Sequence, residues 1–260
     1  MRVLLGAAAL ALVAGTSLAS ETAKFARGDY LYFEKTNDGA RAIHSRCMVG
    51  ESERKIKRAA CAGDVEEMLD ENTMASDMVV GSVVSSPGHG LLAYTTAQAG
   101  KEDTGGYTVE VKNIKAGSMM SDQLEGAGPD VIWGACRSSD GPGALYYTRP
   151  VEGEPGQAQL WRHIIGKDQD EDEMLYEEDD ADFTLFLSQT TDRRYLIMTS
   201  KSNAMPEIGV GLTTEVHFLR VDAPAELTLV TTREPGMEYY GAILYKMMEF
   251  MLKLMDFTLE

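Results

Sequence analysis

The sequence predicts an all-β fold, a partial β-propeller of about four blades that are each a four-stranded antiparallel sheet. One observation is that short apolar segments alternate with period two and are rich in Val, Ile, Tyr, Leu and Thr, as strands are. Another is that a unit of strand, polar turn, aromatic-containing strand and further strand recurs at about 50 residues, the length of a blade. Blades that stack side by side bury both apolar faces of each sheet. A two-sheet sandwich is the alternative, but its strands have no reason to recur at an interval of about 50 residues.

Three copies of this unit follow one another along the chain. Their first two strands lie in residues 83–94 (VVSSPGHGLLAY), 131–147 (VIWGACRSSDGPGALYY) and 183–198 (FTLFLSQTTDRRYLIM). Their third strands are predicted in residues 107–114, 159–165 and 214–221. An earlier strand, residues 27–33 (RGDYLYF), leads toward the turn-like Asn37, Asp38 and Gly39 and predicts a hairpin.

Two other stretches differ from the repeat. Residues 51–74 mix charged residues with scattered Ala, Met and Leu, and are compatible with a helix-containing connection or a disordered insert. Residues 1–19 have Arg2, an apolar run and small residues at the cleavage positions, which predicts a helical secretory signal peptide. We therefore expect a secretory or extracellular protein. An organelle-targeting segment or a misplaced gene start, with a cytoplasmic or organellar location, is the alternative.

The propeller domain is assigned to residues 25–239, and residues 240–260 follow a different pattern. Lys246, Glu249, Lys253 and Asp256 share one narrow helical stripe, and apolar residues cover the rest. This predicts a short amphipathic helix. It could dock on the open propeller, bind a partner or rest on a membrane, or be the chance product of a truncated gene model.

The charge balance excludes one class of partner. Asp and Glu total 41 against 24 Lys and Arg, a formal net charge of -17, so nucleic acid and anionic membranes would be repelled. The three cysteines Cys47, Cys61 and Cys136 have no Cys-x-x-Cys spacing, and no zinc site is indicated. Cys47 and Cys61 could form a disulfide in an oxidising compartment. Small buried thiols are the alternative.

Six segments, in collinear order, resemble motifs of the prolyl oligopeptidase family, and most closely those of oligopeptidase B. They are residues 27–33 (RGDYLYF), 86–94 (SPGHGLLAY), 144–149 (ALYYTR), 159–163 (QLWRH), 175–178 (LYEE) and 233–239 (REPGMEY). Each motif is weak alone, but their order makes the resemblance strong. The usual Asp-Gly turn is altered at Gly88 and His89, and the pattern is lost after Tyr239.

The resemblance implies a seven-bladed propeller that caps an α/β-hydrolase domain and restricts access to short peptides. In that family the hydrolase domain carries the catalytic Ser, Asp and His. The Gly-x-Ser-x-Gly nucleophile motif is absent from this sequence, so we expect the chain alone to be inactive as a serine-type endopeptidase. A non-catalytic module that binds peptides or proteins is the alternative function.

The expected partners follow from the same resemblance and from the incomplete ring. They are peptides or a separate α/β-hydrolase catalytic domain, and the open blade edges of a partial propeller suggest self-association. No nucleic acid is expected, nor a membrane beyond the leader. No cofactor, metal or catalytic residue is predicted, because the four histidines lack a metal-ligand spacing. His163 and His217 lie in strand patterns and are expected to be structural.

The densest charge feature is the acidic segment, residues 168–182. Its candidate site residues for cationic peptides are Asp170, Glu171, Asp172, Glu173, Glu177, Glu178, Asp179 and Asp180. Carboxylates crowded on one rim would attract Arg or Lys side chains of a peptide. Cation binding and a solvated loop between two blades are the alternatives. The nearby aromatics Trp133, Tyr146, Tyr147 and Trp161 are expected to pack within blades.

Overall fold

The computed structural model describes residues 20–21, 25–36, 40–49, 61–102, 106–134, 143–151, 158–203, 212–222 and 226–239. These residues form 17 strands and two short 3-10 helices. The chain divides into a first unit, Met1–Ser76, and a second unit, Asp77–Glu260. The predicted leader, the turn at residues 37–39, Cys136 and the predicted helix in residues 240–260 lie outside the described residues.

The first unit contains one antiparallel sheet, which we call sheet 1. Its strands are β1 (Ser20–Glu21), β2 (Phe25–Arg27), β3 (Tyr30–Thr36), β4 (Ile43–Val49) and β5 (Cys61–Asp70), in the order β1-β3-β4-β5 with β2 also on β3. The earlier strand predicted from residues 27–33 is therefore present, as β3. It pairs with β4 from Tyr30 opposite Met48 to Lys35 opposite Ile43.

The interpretation of residues 51–74 was wrong where the structure describes them. Residues 61–70 are strand β5, and Glu71–Thr73 is a 3-10 helix. The strand is at the edge of sheet 1 and largely exposed, so it lacks the apolar alternation by which strands are recognised. One of its charged residues, Glu66, has a cross-strand partner instead, since Arg46 Nε lies 2.7 Å from Glu66 Oε2.

A disulfide joins Cys47 on β4 to Cys61 on β5. Cys47 is buried and packs with Leu31 and Phe33 in the small core of sheet 1. Of the two states left open by the sequence, the structure therefore has the disulfide rather than separate thiols.

The second unit contains three four-stranded antiparallel sheets, each a meander of consecutive strands. Sheet 2 comprises β6 (Met78–Ser85), β7 (Leu91–Gln98), β8 (Tyr107–Asn113) and β9 (Ser118–Ala127). Sheet 3 comprises β10 (Val131–Gly134), β11 (Ala144–Pro150), β12 (Ala158–Ile164) and β13 (Glu173–Glu178). Sheet 4 comprises β14 (Phe183–Gln189), β15 (Tyr195–Ser202), β16 (Thr214–Arg220) and β17 (Thr228–Thr231).

Aromatic and aliphatic side chains fill the spaces between these three sheets. Val109 of sheet 2 belongs to one buried cluster with Trp133 and Tyr147 of sheet 3. Tyr146 of sheet 3 belongs to another with Leu196 of sheet 4. The Trp133 indole also donates a hydrogen bond to the Val84 carbonyl, 2.9 Å away, and so links sheets 2 and 3. The predicted blade packing of the aromatics is confirmed for Trp133, Tyr146 and Tyr147.

Four antiparallel sheets, three of them stacked in the second unit, confirm the prediction of an all-β fold of propeller type. The fourth strands β9, β13 and β17 were not located in the sequence because they are short or have mostly exposed side chains. Within the described residues, no helix is long and apolar enough to cross a membrane.

Candidate functional site

The acidic segment does not form a single rim, because strand β13 runs through its centre. Asp170 and Glu171 lie in the 3-10 helix Gln169–Glu171 before the strand, whereas Asp179 and Asp180 follow it. Six residues of strand span about 20 Å, so the carboxylates before and after β13 lie at opposite ends of sheet 3. The eight candidate residues therefore form separate groups, and the middle of the segment is strand rather than a solvated loop.

The first buried group is centred on His163 of β12, whose side chain is fully buried. Its Nδ1 lies 2.7 Å from Asp172 Oδ1, and its Nε2 lies 3.0 Å from Asp122 Oδ1. Asp122 belongs to β9 of sheet 2, so this histidine connects two sheets. The Tyr147 hydroxyl donates to the other oxygen of Asp172, 2.6 Å away. We call Asp122, Tyr147, His163 and Asp172 the histidine cluster.

Both ring nitrogens of His163 face carboxylate oxygens. An ionised carboxylate only accepts hydrogen bonds, so the two contacts are both satisfied when both ring nitrogens carry protons. Burial lowers the pKa of His163, but the hydrogen bonds to Asp172 and Asp122 outweigh burial and raise it above the ordinary value. The geometry and the pKa therefore both favour an imidazolium between two carboxylates.

The segment between β12 and β13 runs along the outer strand of sheet 2. Its Gly166 N–H donates to Asp122 Oδ1. The Gln169 side-chain amide accepts from the Glu125 N–H and donates to the Glu125 carbonyl, each over 3.0 Å. Gln169 thus binds both backbone groups of one residue on β9, as a neighbouring strand would. We call residues 165–172 the strap.

The second buried group is centred on Glu178, the last residue of β13, whose side chain is 1% exposed. Ser200 of β15 donates to Glu178 Oε2 over 2.5 Å, and the Arg233 guanidinium donates to the same oxygen. The Asp180 N–H donates to Glu178 Oε1 over 3.1 Å. Glu178 therefore joins sheet 3 to β15 of sheet 4 and to the segment after β17. We call Glu178, Ser200 and Arg233 the glutamate cluster.

Arg233 is held from several sides. Its guanidinium lies 4.0 Å from the centre of the Phe183 ring, and its Nε lies 3.5 Å from Glu215 Oε2. Burial raises the pKa of Glu178, but the hydrogen bonds from Arg233, Ser200 and the Asp180 backbone outweigh it, so the pKa is lowered overall. Glu178 is thus held as a buried carboxylate.

The remaining candidate residues are more exposed, and several have nearby partners. Lys167 lies 3.0 Å from Glu171, Arg162 lies 3.0 Å from Glu173, and the Gln159 amide lies 2.6 Å from Glu177. Asp180 lies 3.5 Å from Arg233. Exposed ion pairs of this kind contribute little to stability and leave the carboxylates accessible to a cationic ligand. The prediction that these residues attract cationic peptides stays a prediction.

Three of the described histidines make polar contacts with carboxylates rather than with a nucleophile. His44 lies 2.8 Å from Glu71, His163 is bound by its two aspartates, and His217 lies 3.7 Å from Glu215. Burial lowers the pKa of His217, whose ring stacks at a tilt against Tyr176. Among the residues that the structure covers, no group of three or more His, Cys, Asp and Glu side chains is arranged to hold a metal ion.

Sequence reasoning missed the partners that make two of the acidic residues structural. Asp122 carries no signal, because it is one acidic residue in an exposed strand pattern. Arg233 did carry a signal in the sequence. It begins the segment REPGMEY, and its partner Glu178 ends the segment LYEE, so both charged residues of the glutamate cluster lie in motif segments. A buried position beside an arginine is the usual place for a paired carboxylate.

Consecutive four-stranded meanders, stacked by their apolar faces and tied by buried charges, define the second unit as part of a β-propeller domain. A family model described as the prolyl oligopeptidase N-terminal β-propeller domain matches residues 9–253. The chain belongs to this family.

Similarity to individual peptidases agrees with this assignment. Over 222 residues the chain is 30% identical to Protease 2 of Moraxella lacunata, covering 82% of this chain and 29% of that protein. Its structure is similar to oligopeptidase B of Leishmania major, with a TM-score of 0.67 and 27% identity over 85% of this chain and 29% of the other. Oligopeptidase B of Trypanosoma brucei, in a closed form with covalently bound antipain, gives a TM-score of 0.65 at 27% identity, with the same coverage. The chain therefore spans less than a third of the length of each of these relatives.

Proposed function

We propose that this chain serves as the cap of a serine-type peptidase of the oligopeptidase B type and limits its substrates to short peptides. The match to the family propeller over residues 9–253 carries this proposal. The reactive Ser, Asp and His would come from an α/β-hydrolase domain, whether in a further part of the protein or on a separate chain. The buried clusters that join sheets 2, 3 and 4 support the role, since a cap must exclude large substrates while staying folded.

The chain alone is expected not to cleave peptides that contain Arg or Lys. Mixed with or fused to the α/β-hydrolase catalytic domain of a peptidase of this family, it should give an enzyme that cleaves short peptides but cleaves a long unfolded protein more slowly than the catalytic domain does alone. The measurement is the ratio of the two kcat/KM values with and without this chain. An unchanged ratio both in the mixture and in the fusion would overturn the proposal. Cleavage by the chain alone that a serine-directed inhibitor blocks would also overturn it.

The exposed carboxylates of the acidic segment, we infer, draw cationic peptides toward the cap. The net charge of -17 supports long-range attraction of positive ligands, which salt screens. We expect binding of an Arg-rich peptide to weaken about tenfold or more between low salt and about 0.5 M salt. Binding of a neutral peptide of equal length should not change. A Glu173→Gln/Glu177→Gln variant is expected to reduce the salt dependence, and equal salt dependence for both peptides would contradict the inference.

A non-catalytic binding module is the second candidate function, and one observation favours it. Phe186, on the first strand of sheet 4, is 48% exposed, whereas its neighbours Leu185 and Leu187 are buried in the core shared with sheet 3. A half-exposed aromatic side chain on a sheet can form part of an interface with a partner protein or with a second copy of the chain. In the mixing experiment, this alternative expects self-association of the chain alone and no complex with the catalytic domain.

The disulfide between Cys47 and Cys61 supports an oxidising compartment as the protein's location. A secretory or extracellular location, as the pattern of residues 1–19 suggests, is consistent with this. Fractionation of the producing cells, with detection of the protein in the exported fraction, tests this part of the proposal.

A further inference from the structure

The histidine cluster places a titratable group at the contact between sheets 2 and 3. His163 belongs to sheet 3 and Asp122 to sheet 2, and both side chains are fully buried. Asp122 Oδ2 is buried and has no hydrogen-bond partner among the described residues. Neither Asp122 nor Asp172 is paired with Lys or Arg in the described part of the chain. In the described part of the chain, the cationic side chain that pairs directly with both aspartates is therefore His163.

We propose that the histidine cluster is a pH-sensitive latch that holds the strap on the outer strand of sheet 2 and releases it when His163 loses its proton. Loss of the proton to solvent leaves a neutral ring with one N–H. One of the two carboxylates then faces a nitrogen lone pair instead of a donor. That carboxylate keeps one neutral donor, the Gly166 N–H for Asp122 or the Tyr147 hydroxyl for Asp172, but it loses its charged partner. A buried carboxylate without a charged partner is costly, and movement of the strap or of Asp122 toward water lowers that cost.

Of the titratable groups around His163, Asp122 and Asp172 favour its charged form and Tyr147 is neutral near pH 7, while the cation Arg149 acts on Tyr147. Asp122 faces it from β9 and Asp172 from the segment before β13. Tyr147 of β11 reaches it only through Asp172, and burial, with the hydrogen bond to Asp172, raises the pKa of Tyr147. Lys167, the cation of the strap, is paired with Glu171 at the surface.

Release of the strap would uncover backbone groups at the outer edge of sheet 2. Gln169 occupies both the N–H and the carbonyl of Glu125, and Gly166 depends on Asp122 for its hydrogen bond. An uncovered edge strand can pair with another chain. The latch thus links the protonation of one buried side chain to the accessibility of β9.

The sign of the pH effect follows from the raised pKa of His163. The latch is closed below about pH 6.5, the ordinary value for histidine, and is lost as pH rises through the higher folded value. Amide hydrogen exchange in the full chain, corrected for intrinsic rates, tests this. The protection of the Glu125 and Gly166 amides should fall about tenfold or more between about pH 6 and about pH 9.

The controls separate a pH response from a merely structural role. In His163→Gln the side chain can still hydrogen-bond but cannot titrate, so protection at these two amides should no longer change with pH beyond the change seen elsewhere in the protein. His89→Gln, in the turn between β6 and β7, should keep the wild-type response. Equal protection at both pH values in the wild type, or an unchanged fall in His163→Gln, would overturn the proposal. If His163→Gln does not fold, NMR titration of the wild-type imidazole decides, and titration of His163 below the ordinary histidine value would overturn it.

Discussion

Replacement of Arg233 by methionine is expected to lower the free energy of unfolding by about 3 to 5 kcal/mol. The variant keeps an apolar side chain against Phe183 but removes the cation from Glu178, whose side chain is 1% exposed. The cost comes mainly from leaving a buried carboxylate without its charged partner. Urea titration followed by tryptophan fluorescence measures it well, because the two tryptophans, Trp133 and Trp161, both belong to sheet 3, as Glu178 does.

The effect of this substitution should depend on pH in a defined direction. The folded pKa of Glu178 is lowered, so the stability from its pairing is present above about pH 4.3 and is lost as pH falls through the folded value. The difference between wild type and Arg233→Met should therefore shrink in acid. A second substitution, Glu178→Gln, should restore part of the stability of Arg233→Met because it removes the unpaired charge.

An exposed arginine provides the matched control. Arg220 pairs with Asp222 on the surface over 2.9 Å, and Arg220→Met should leave the urea midpoint almost unchanged. Equal losses of stability in Arg220→Met and Arg233→Met would show that the Arg233 guanidinium contributes through general surface charge rather than through its pairing with Glu178. Failure of Glu178→Gln to restore any stability to Arg233→Met would show that the loss comes from packing rather than from charge.

The fold of the second unit could be predicted because its second strands, β7, β11 and β15, are buried along most of their length, while strands such as β14 alternate between buried and more exposed side chains. Segments such as residues 131–147 and 183–198 carry the packing between sheets, and the strands lie where the pattern placed them. The edge strands β5 and β13 could not be identified this way. Their exposed side chains are free to be charged, and charged segments are more often loops than strands.

The site could be predicted only in part, because burial of a charge depends on a partner that is distant in sequence. Asp172 and Glu178 are similar in sequence to their neighbours, yet they are buried and paired, whereas Asp170 and Glu173 are exposed. The partner of Asp172 is nine residues away, but that of Glu178 is 55 residues away. A charge run read by itself cannot distinguish these roles, since the Glu178 pairing is created by the stacking of sheets 3 and 4 and the Asp172 pairing by the course of the strap between β12 and β13.

Reduction of the Cys47–Cys61 disulfide is expected to destabilise sheet 1 by about 3 kcal/mol, the value for closing a loop of about 15 residues. The two cysteines are 14 residues apart in sequence. Cys47 is buried among apolar side chains, where a thiol packs as a small apolar group, so the loss should arise mainly from greater freedom of the unfolded chain. Both tryptophans lie in the second unit, so fluorescence does not report on this sheet.

Hydrogen exchange of β3 and β4 can report on it, and the disulfide predicts a specific pattern. Reductant should lower protection in these strands of the wild type by about a hundredfold, which corresponds to about 3 kcal/mol. The Cys47→Ala/Cys61→Ala variant should start at the lower protection and not respond to reductant, whereas Cys136→Ala should behave as wild type. In all three proteins the tryptophan signal of the second unit should be unchanged.

Alkylation of the unfolded, unreduced protein tests the disulfide itself. With the disulfide present, only Cys136 can react, so alkylation of three thiols would contradict the disulfide. A disulfide found by that assay in protein taken directly from its source would also show that the chain had passed through an oxidising compartment, since cytosolic thiols are kept reduced.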